Sequence, residues 1–128
     1  VIKGFLRFVY AENPGAAWSF MADASESTRF WFFSVVSSIA IVLLFFLGLF
    51  QTPPNSLTIY AYCGILGGAV GNLIDRLNTN FVVDFIDMYW NSHHWPTYNV
   101  ADMGISIGVT ILILEQLIVD HRERSRVE

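Results

Sequence analysis

From Phe30 to Ile74 the chain runs 45 residues without an Asp, Glu, Lys, Arg or His. Few folded environments accept such a stretch. A helix of about 20 apolar residues rises about 30 Å, the hydrocarbon thickness of a bilayer. The run divides at Gln51-Thr52-Pro53-Pro54-Asn55, where two prolines end the helical ladder. It leaves an uncharged segment of 21 residues from Phe30 to Phe50 and one of 18 from Leu57 to Ile74. A third apolar run, Met103 to Val119, is interrupted by Glu115, which is expected to snorkel outward.

The rest of the composition agrees with a membrane domain. Hydrophobic residues make up 54% of the chain and charged ones 14%, against about a quarter charged in soluble domains. The net charge of −4 offers no broad basic field, so nucleic acid is not an expected partner. The lone Cys63 excludes an internal disulfide framework. Val1 to Tyr10 lacks the apolar core of a cleavable signal peptide.

One membrane domain, 1–128, is therefore expected. Spans are predicted over 30–50, 57–76 and 102–121. Residues 1–28 are predicted to hold short strands, with Phe5, Phe8, Tyr10, Trp18 and Phe20 at an interface and a turn at Asn13-Pro14-Gly15. The connection 77–101 is long and rich in aromatic residues and His, as suits an extended or amphipathic element at headgroup depth. With three spans, 1–28 and 77–101 share one side of the membrane. Arg122, Arg124 and Arg126 in the tail favour the other side as cytoplasmic.

That parity gathers Asp75, Asp84, Asp87 and Asp102 at the outer face. Asp84 follows Phe81-Val82-Val83 and Asp102 heads the last span, so both carboxyls are placed where water thins and their pKa values rise. Two such groups side by side hold one proton between them, leaving a base to activate water and an acid to polarise a carbonyl. The plainer alternative has Asp102 capping the last helix and Asp84 paired with Arg76. Asp75 reads as a cap or ion pair fixing the loop, and Glu12, Asp23 and Asp87 as solvated rim charges. Gly64, Gly67, Gly68 and Gly71 give two overlapping GxxxG spacings for close helix approach. Gly104-Ile105-Ser106-Ile107-Gly108 matches a hydrolase elbow in letters only, because it falls within a span. His93 and His94 read as interfacial anchors rather than metal ligands.

Asn13-Pro14-Gly15-Ala16-Ala17-Trp18-Ser19-Phe20, Gly67 to Arg76, Val82-Val83-Asp84-Phe85 and Tyr98-Asn99-Val100-Ala101-Asp102, in this order, resemble the signature blocks of the bacterial lipoprotein signal peptidases, the type II signal peptidases. The resemblance implies a helical membrane bundle with a small extracytoplasmic β-sheet and an amphipathic loop element. Its implied activity is an aspartic endopeptidase of the inner membrane. No metal or cofactor is needed for that chemistry, and a monomer is expected. That enzyme cuts signal peptides from diacylglyceryl-modified prolipoproteins at the extracytoplasmic face and binds the antibiotic globomycin. Carried over residue by residue, Asp84 and Asp102 match the catalytic pair, and Asn13, Gly15, Asn72, Arg76 and Asn99 match positions lining the substrate cleft. The family has four spans, and this chain begins about where the first should end. Trp18, Met103 and Gly104 depart from the family's commoner residues. A competing function is a small transporter or proton-relay subunit using the same acids; a third is a non-catalytic lipid-binding or assembly protein.

Overall fold

The computed structural model describes residues 1–15, 21, 23–51 and 57–127. The expectations for Trp18 and Phe20 and for the break at Pro53-Pro54 lie outside these. The order of elements is β1 (Leu6–Asn13), α1 (Glu26–Gln51), α2 (Leu57–Thr79), β2 (Val82–Trp90), β3 (His93–His94) and α3 (Val100–Val127).

All three helices are long and apolar enough to cross a membrane, over Glu26–Phe50, Leu57–Thr79 and Val100–Val119. Their outer faces expose residues such as Trp31, Leu43, Phe46 and Ile113, which suits lipid as the surrounding medium. Each helix outruns its predicted span. α1 starts at a cap, where the Thr28 N–H donates to Ser25 Oγ at 3.2 Å. α2 continues past Arg76 to Thr79, and Asn80 closes it at φ +67°.

Glycine brings α2 and α3 together. A methyl group added at Gly64 would lie 3.1 Å from the Gly104 carbonyl oxygen, and one at Gly104 would lie 3.0 Å from that of Gly64. Gly68 and Gly108 are equally closed, against Ala101 and Ile105 and against Ala61 and Ile65. The letters that mimic a hydrolase elbow thus form a second small-xxx-small face on α3. Glu115 does not snorkel: its carboxylate accepts a hydrogen bond from the Thr58 hydroxyl across the same interface.

The connection 77–101 is mostly sheet. β2 is the central strand of an antiparallel sheet ordered β1-β2-β3. In β1–β2 the pairs run Arg7 with Asp87 and Phe8 with Ile86, then Ala11 with Asp84 and Asn13 with Val82. Between them β1 carries one residue more than β2, a β-bulge. Val82, Asp84 and Ile86 are buried on one face of β2, and alternation turns Phe85, Asp87 and Tyr89 to the other. Tyr98 extends the ladder, its N–H donating to the Ile86 carbonyl at 3.1 Å. Strand β2 and the start of α3 are therefore fixed to each other.

Candidate active site

Asp84 projects from β2 and is 1% exposed. Its Oδ2 accepts from Asn13 Nδ2 at 3.0 Å, and its Oδ1 accepts from Asn99 Nδ2 at 3.0 Å. Asp102, in the first turn of α3, accepts from Asn72 Nδ2 on Oδ1 at 2.8 Å and from the Asn99 backbone N–H on Oδ2 at 3.0 Å. The Asp102 N–H returns a bond to Asn99 Oδ1 at 3.1 Å. This reciprocal pair is a capping box, so Asp102 serves the helix end and the site at once.

The amide orientations are fixed by the network. Gly15 N–H donates to Asn13 Oδ1 at 2.9 Å, which turns the Asn13 NH₂ toward Asp84. The Asp102 N–H pins Asn99 in the same way. Asn99 Nδ2 then lies 3.1 Å from Asn72 Oδ1, which points the Asn72 NH₂ at Asp102. Gly15 adopts φ +98°, and a side chain there would strike the Phe33 ring. That position requires glycine on both counts.

One residue from each of several elements thus converges on two carboxylates: Asn13 from β1, Asn72 from α2, Asp84 from β2, Asn99 and Asp102 from the start of α3. The glycine contact between α2 and α3 makes this possible. Asn72 lies one turn beyond Gly68, where the helices are near enough for a short amide to reach Asp102. Arg76, a further turn on, is 7% exposed; its guanidinium sits 5.5 Å over the Phe33 ring, and its Nε has no hydrogen-bond partner among the described residues. Asp84 makes no ion pair with it. Asp75 fixes the loop as expected, its carboxylate accepting the Val83 N–H at 3.4 Å.

The electrostatics follow from the donors. Burial pushes the Asp84 carboxyl above the ordinary carboxylate range; the bond from Asn13 draws it back, and the nearby Asp102 charge pushes it further up. The hydrogen-bond partners of Asp84 are neutral amides, which orient the carboxyl without supplying a positive charge, while Asp102 also feels the charge of Arg76. Asp102 also lines a cleft of about 310 Å³ with Trp95, Tyr98, Met103, Ser106 and Ile107. One carboxyl is sealed and the other opens on an apolar cleft, an arrangement suited to holding one proton and one charge between them.

Asp87 is a correction to the reading from sequence. It is 3% exposed rather than a solvated rim charge. Arg7 Nε lies 2.6 Å from its Oδ2, and His94 Nδ1 lies 2.9 Å from its Oδ1. His94 in turn stacks on Tyr89 with ring centroids 5.4 Å apart, so it is tied to the sheet. No pairing rule along the sequence links Asp87 to a residue 80 positions away.

The sequence matches the signal peptidase (SPase) II family over residues 1–118. It is 42% identical over 119 residues to the lipoprotein signal peptidase of Pasteurella multocida, covering 93% of this chain and 72% of that one. With the Shewanella amazonensis lipoprotein signal peptidase the identity is 43% over 112 residues, 87% of this chain and 66% of the relative. A solved structure described as a bacterial membrane enzyme superposes with a TM-score of 0.79 at 33% identity, covering 91% of this chain and 68% of that one. The chain thus spans about two thirds to three quarters of the length of these relatives.

Proposed function

Because the chain belongs to the signal peptidase II family, we propose that it is an aspartic endopeptidase of the bacterial inner membrane, removing the signal peptide from diacylglyceryl-modified prolipoproteins with Asp84 and Asp102 as its catalytic pair. The observation that carries this reading is the shared donor Asn99, which binds one carboxylate through its side chain and the other through its backbone. On this reading the resting proton sits on sealed Asp84. Ionised Asp102 meets a water in the cleft, takes its proton as the water attacks the peptide carbonyl, and the pair returns a proton to the departing amine.

The asparagines acquire distinct roles. Asn72 and Asn99 commit their amide groups to the carboxyls and to each other, so they position the pair, while Arg76 keeps an unengaged Nε for a carbonyl or lipid oxygen. Globomycin is expected to compete for the same cleft. The site belongs on the extracytoplasmic side, opposite the arginine-bearing tail.

The test is cleavage of a lipidated precursor by protein reconstituted in phospholipid. Asp84→Asn and Asp102→Asn are each expected to lower turnover by about 10³-fold or more, with helix content and melting nearly unchanged. Near-wild-type turnover in either variant removes the proposal. Proton flux in sealed liposomes that survives both substitutions would instead support the transporter reading.

A further inference from the structure

We propose that Trp95 is a specificity-determining wall of the cleft beside Asp102, and that Asp87 acts on it from the far face of the sheet as a positioning residue, through His94. The inference rests on the peptidase reading above and concerns how that site grips an aliphatic group near the scissile bond.

The hairpin that carries Trp95 is too short to hold itself. β3 contributes His93 and His94 alone, paired with Trp90 and Tyr89, and the turn contains Asn91 at φ +54°. Two-stranded ribbons of this size are marginal without an anchor. Here the anchor is the Asp87 carboxylate, whose side chain is 4% exposed while those of Arg7 and His94 are about half exposed. His94 is held by the carboxylate and by stacking on Tyr89. The next residue, Trp95, donates its N–H to the Met88 carbonyl at 2.9 Å, and the Tyr98 hydroxyl donates to Met88 Sδ at 2.8 Å. The segment is thus tied to β2 on both sides of Trp95.

Trp95 itself is two-thirds exposed and faces two hollows. One lies over the hairpin, with Phe5, Met88, Tyr89, Trp90, His93 and His94; the other is the cleft containing Asp102. Trp95 lines that cleft together with Met103 and Ile107. Release of His94 frees the wall and leaves the amide network around Asp84 and Asp102 untouched, since the two clusters share no side chain. The expected signature is loss of substrate binding without loss of chemistry.

The experiment is steady-state cleavage of a lipidated precursor by wild type, Trp95→Ala, Asp87→Asn and the double variant, reconstituted in phospholipid nanodiscs. Trp95→Ala and Asp87→Asn should each raise KM about tenfold and change kcat less than about twofold. In the Trp95→Ala background Asp87→Asn should add nothing, because it works through the missing indole. Substrates with a shortened acyl chain, or with Ala replacing the bulky residue nearest the cut, identify the group gripped: its truncation raises KM for wild type and not for Trp95→Ala. Additive KM effects, a fall in kcat for Asp87→Asn, or equal truncation effects with and without the indole overturn the proposal while leaving the peptidase reading in place. A wild-type protein that does not cleave the precursor overturns both.

Discussion

Strand β2 carries two buried carboxyls three residues apart, and they sit in opposite electrostatic worlds. Asp84 faces the helices and is met by amides alone; burial holds it above the usual carboxylate range. Asp87 faces away and is met by His94 and Arg7; the His94 hydrogen bond, with the bond and charge of Arg7, holds it below that range despite its burial. Low exposure alone therefore does not decide protonation; the hydrogen bonds and charges that meet the carboxyl count with it. A carboxyl whose burial favours the neutral form and whose hydrogen-bond partners are uncharged amides remains free to move a proton, whereas one held by a guanidinium and an imidazole is a structural anchor. The catalytic reading of Asp84 and the structural reading of Asp87 rest on that difference.

The comparison is broken most directly at the shared donor. Asn99→Ala removes a donor from Asp84 and an acceptor from the Asp102 N–H; we expect kcat for precursor cleavage to fall by about 100-fold, within the range for general acid–base groups. A variant that instead raised KM at constant kcat would make Asn99 a substrate contact and not a positioning residue.

The pH dependences should run in opposite senses. If Asp84, whose folded pKa is raised, carries the proton of the proposed pair, kcat should fall as pH rises through that pKa. Asp87, with its folded pKa depressed, contributes stability fully above the ordinary carboxylate pKa of about 3.9 and loses it as pH falls through the depressed folded value. Melting temperature measured on acidification should therefore fall more steeply in wild type than in Asp87→Asn. Equal acid slopes would mean that the Asp87 cluster contributes no linkage.

The smallest effect is expected at Arg7, whose side chain is half exposed. Arg7→Gln should lower the melting temperature by only a few degrees, corresponding to about 1 kcal/mol or less for an exposed charge. Loss of cleavage in this variant would show that the far face of the sheet reaches the proposed catalytic pair by a route other than Trp95.

The helices were legible because a charge-free run of bilayer length suits a membrane-spanning helix, and the Gly64–Gly68 spacing on α2 marked its packing face, whereas Gly67 of the second spacing meets open space. β2 was harder to see. Its buried face reads Val82, Asp84, Ile86, and a polar residue in the middle of an apolar row hides the alternation that identifies a strand. The carboxyls drew attention as costly groups beside apolar sequence, but their partners did not. Asn72 meets Asp102 from 30 positions away, and Asn13 meets Asp84 from 71, so only folding brings the amides into register. The burial of Asp87 is hidden from the sequence for the same reason, and the role of Glu115 as acceptor for Thr58 depends on how α2 and α3 cross.

The extra residue between Phe8 and Ala11 has a topological effect. Arg7 and Asn13 are both odd-numbered, and along an uninterrupted strand they would project to the same side. The bulge flips the parity, so the guanidinium goes to one surface of the sheet and the carboxamide to the other. Removing a single residue at Val9 or Tyr10 would realign one end of the strand, either turning the Asn13 amide away from Asp84 or swinging the Arg7 cation round toward it. The irregularity works as an insulator between the proposed catalytic pair and the Arg7 charge.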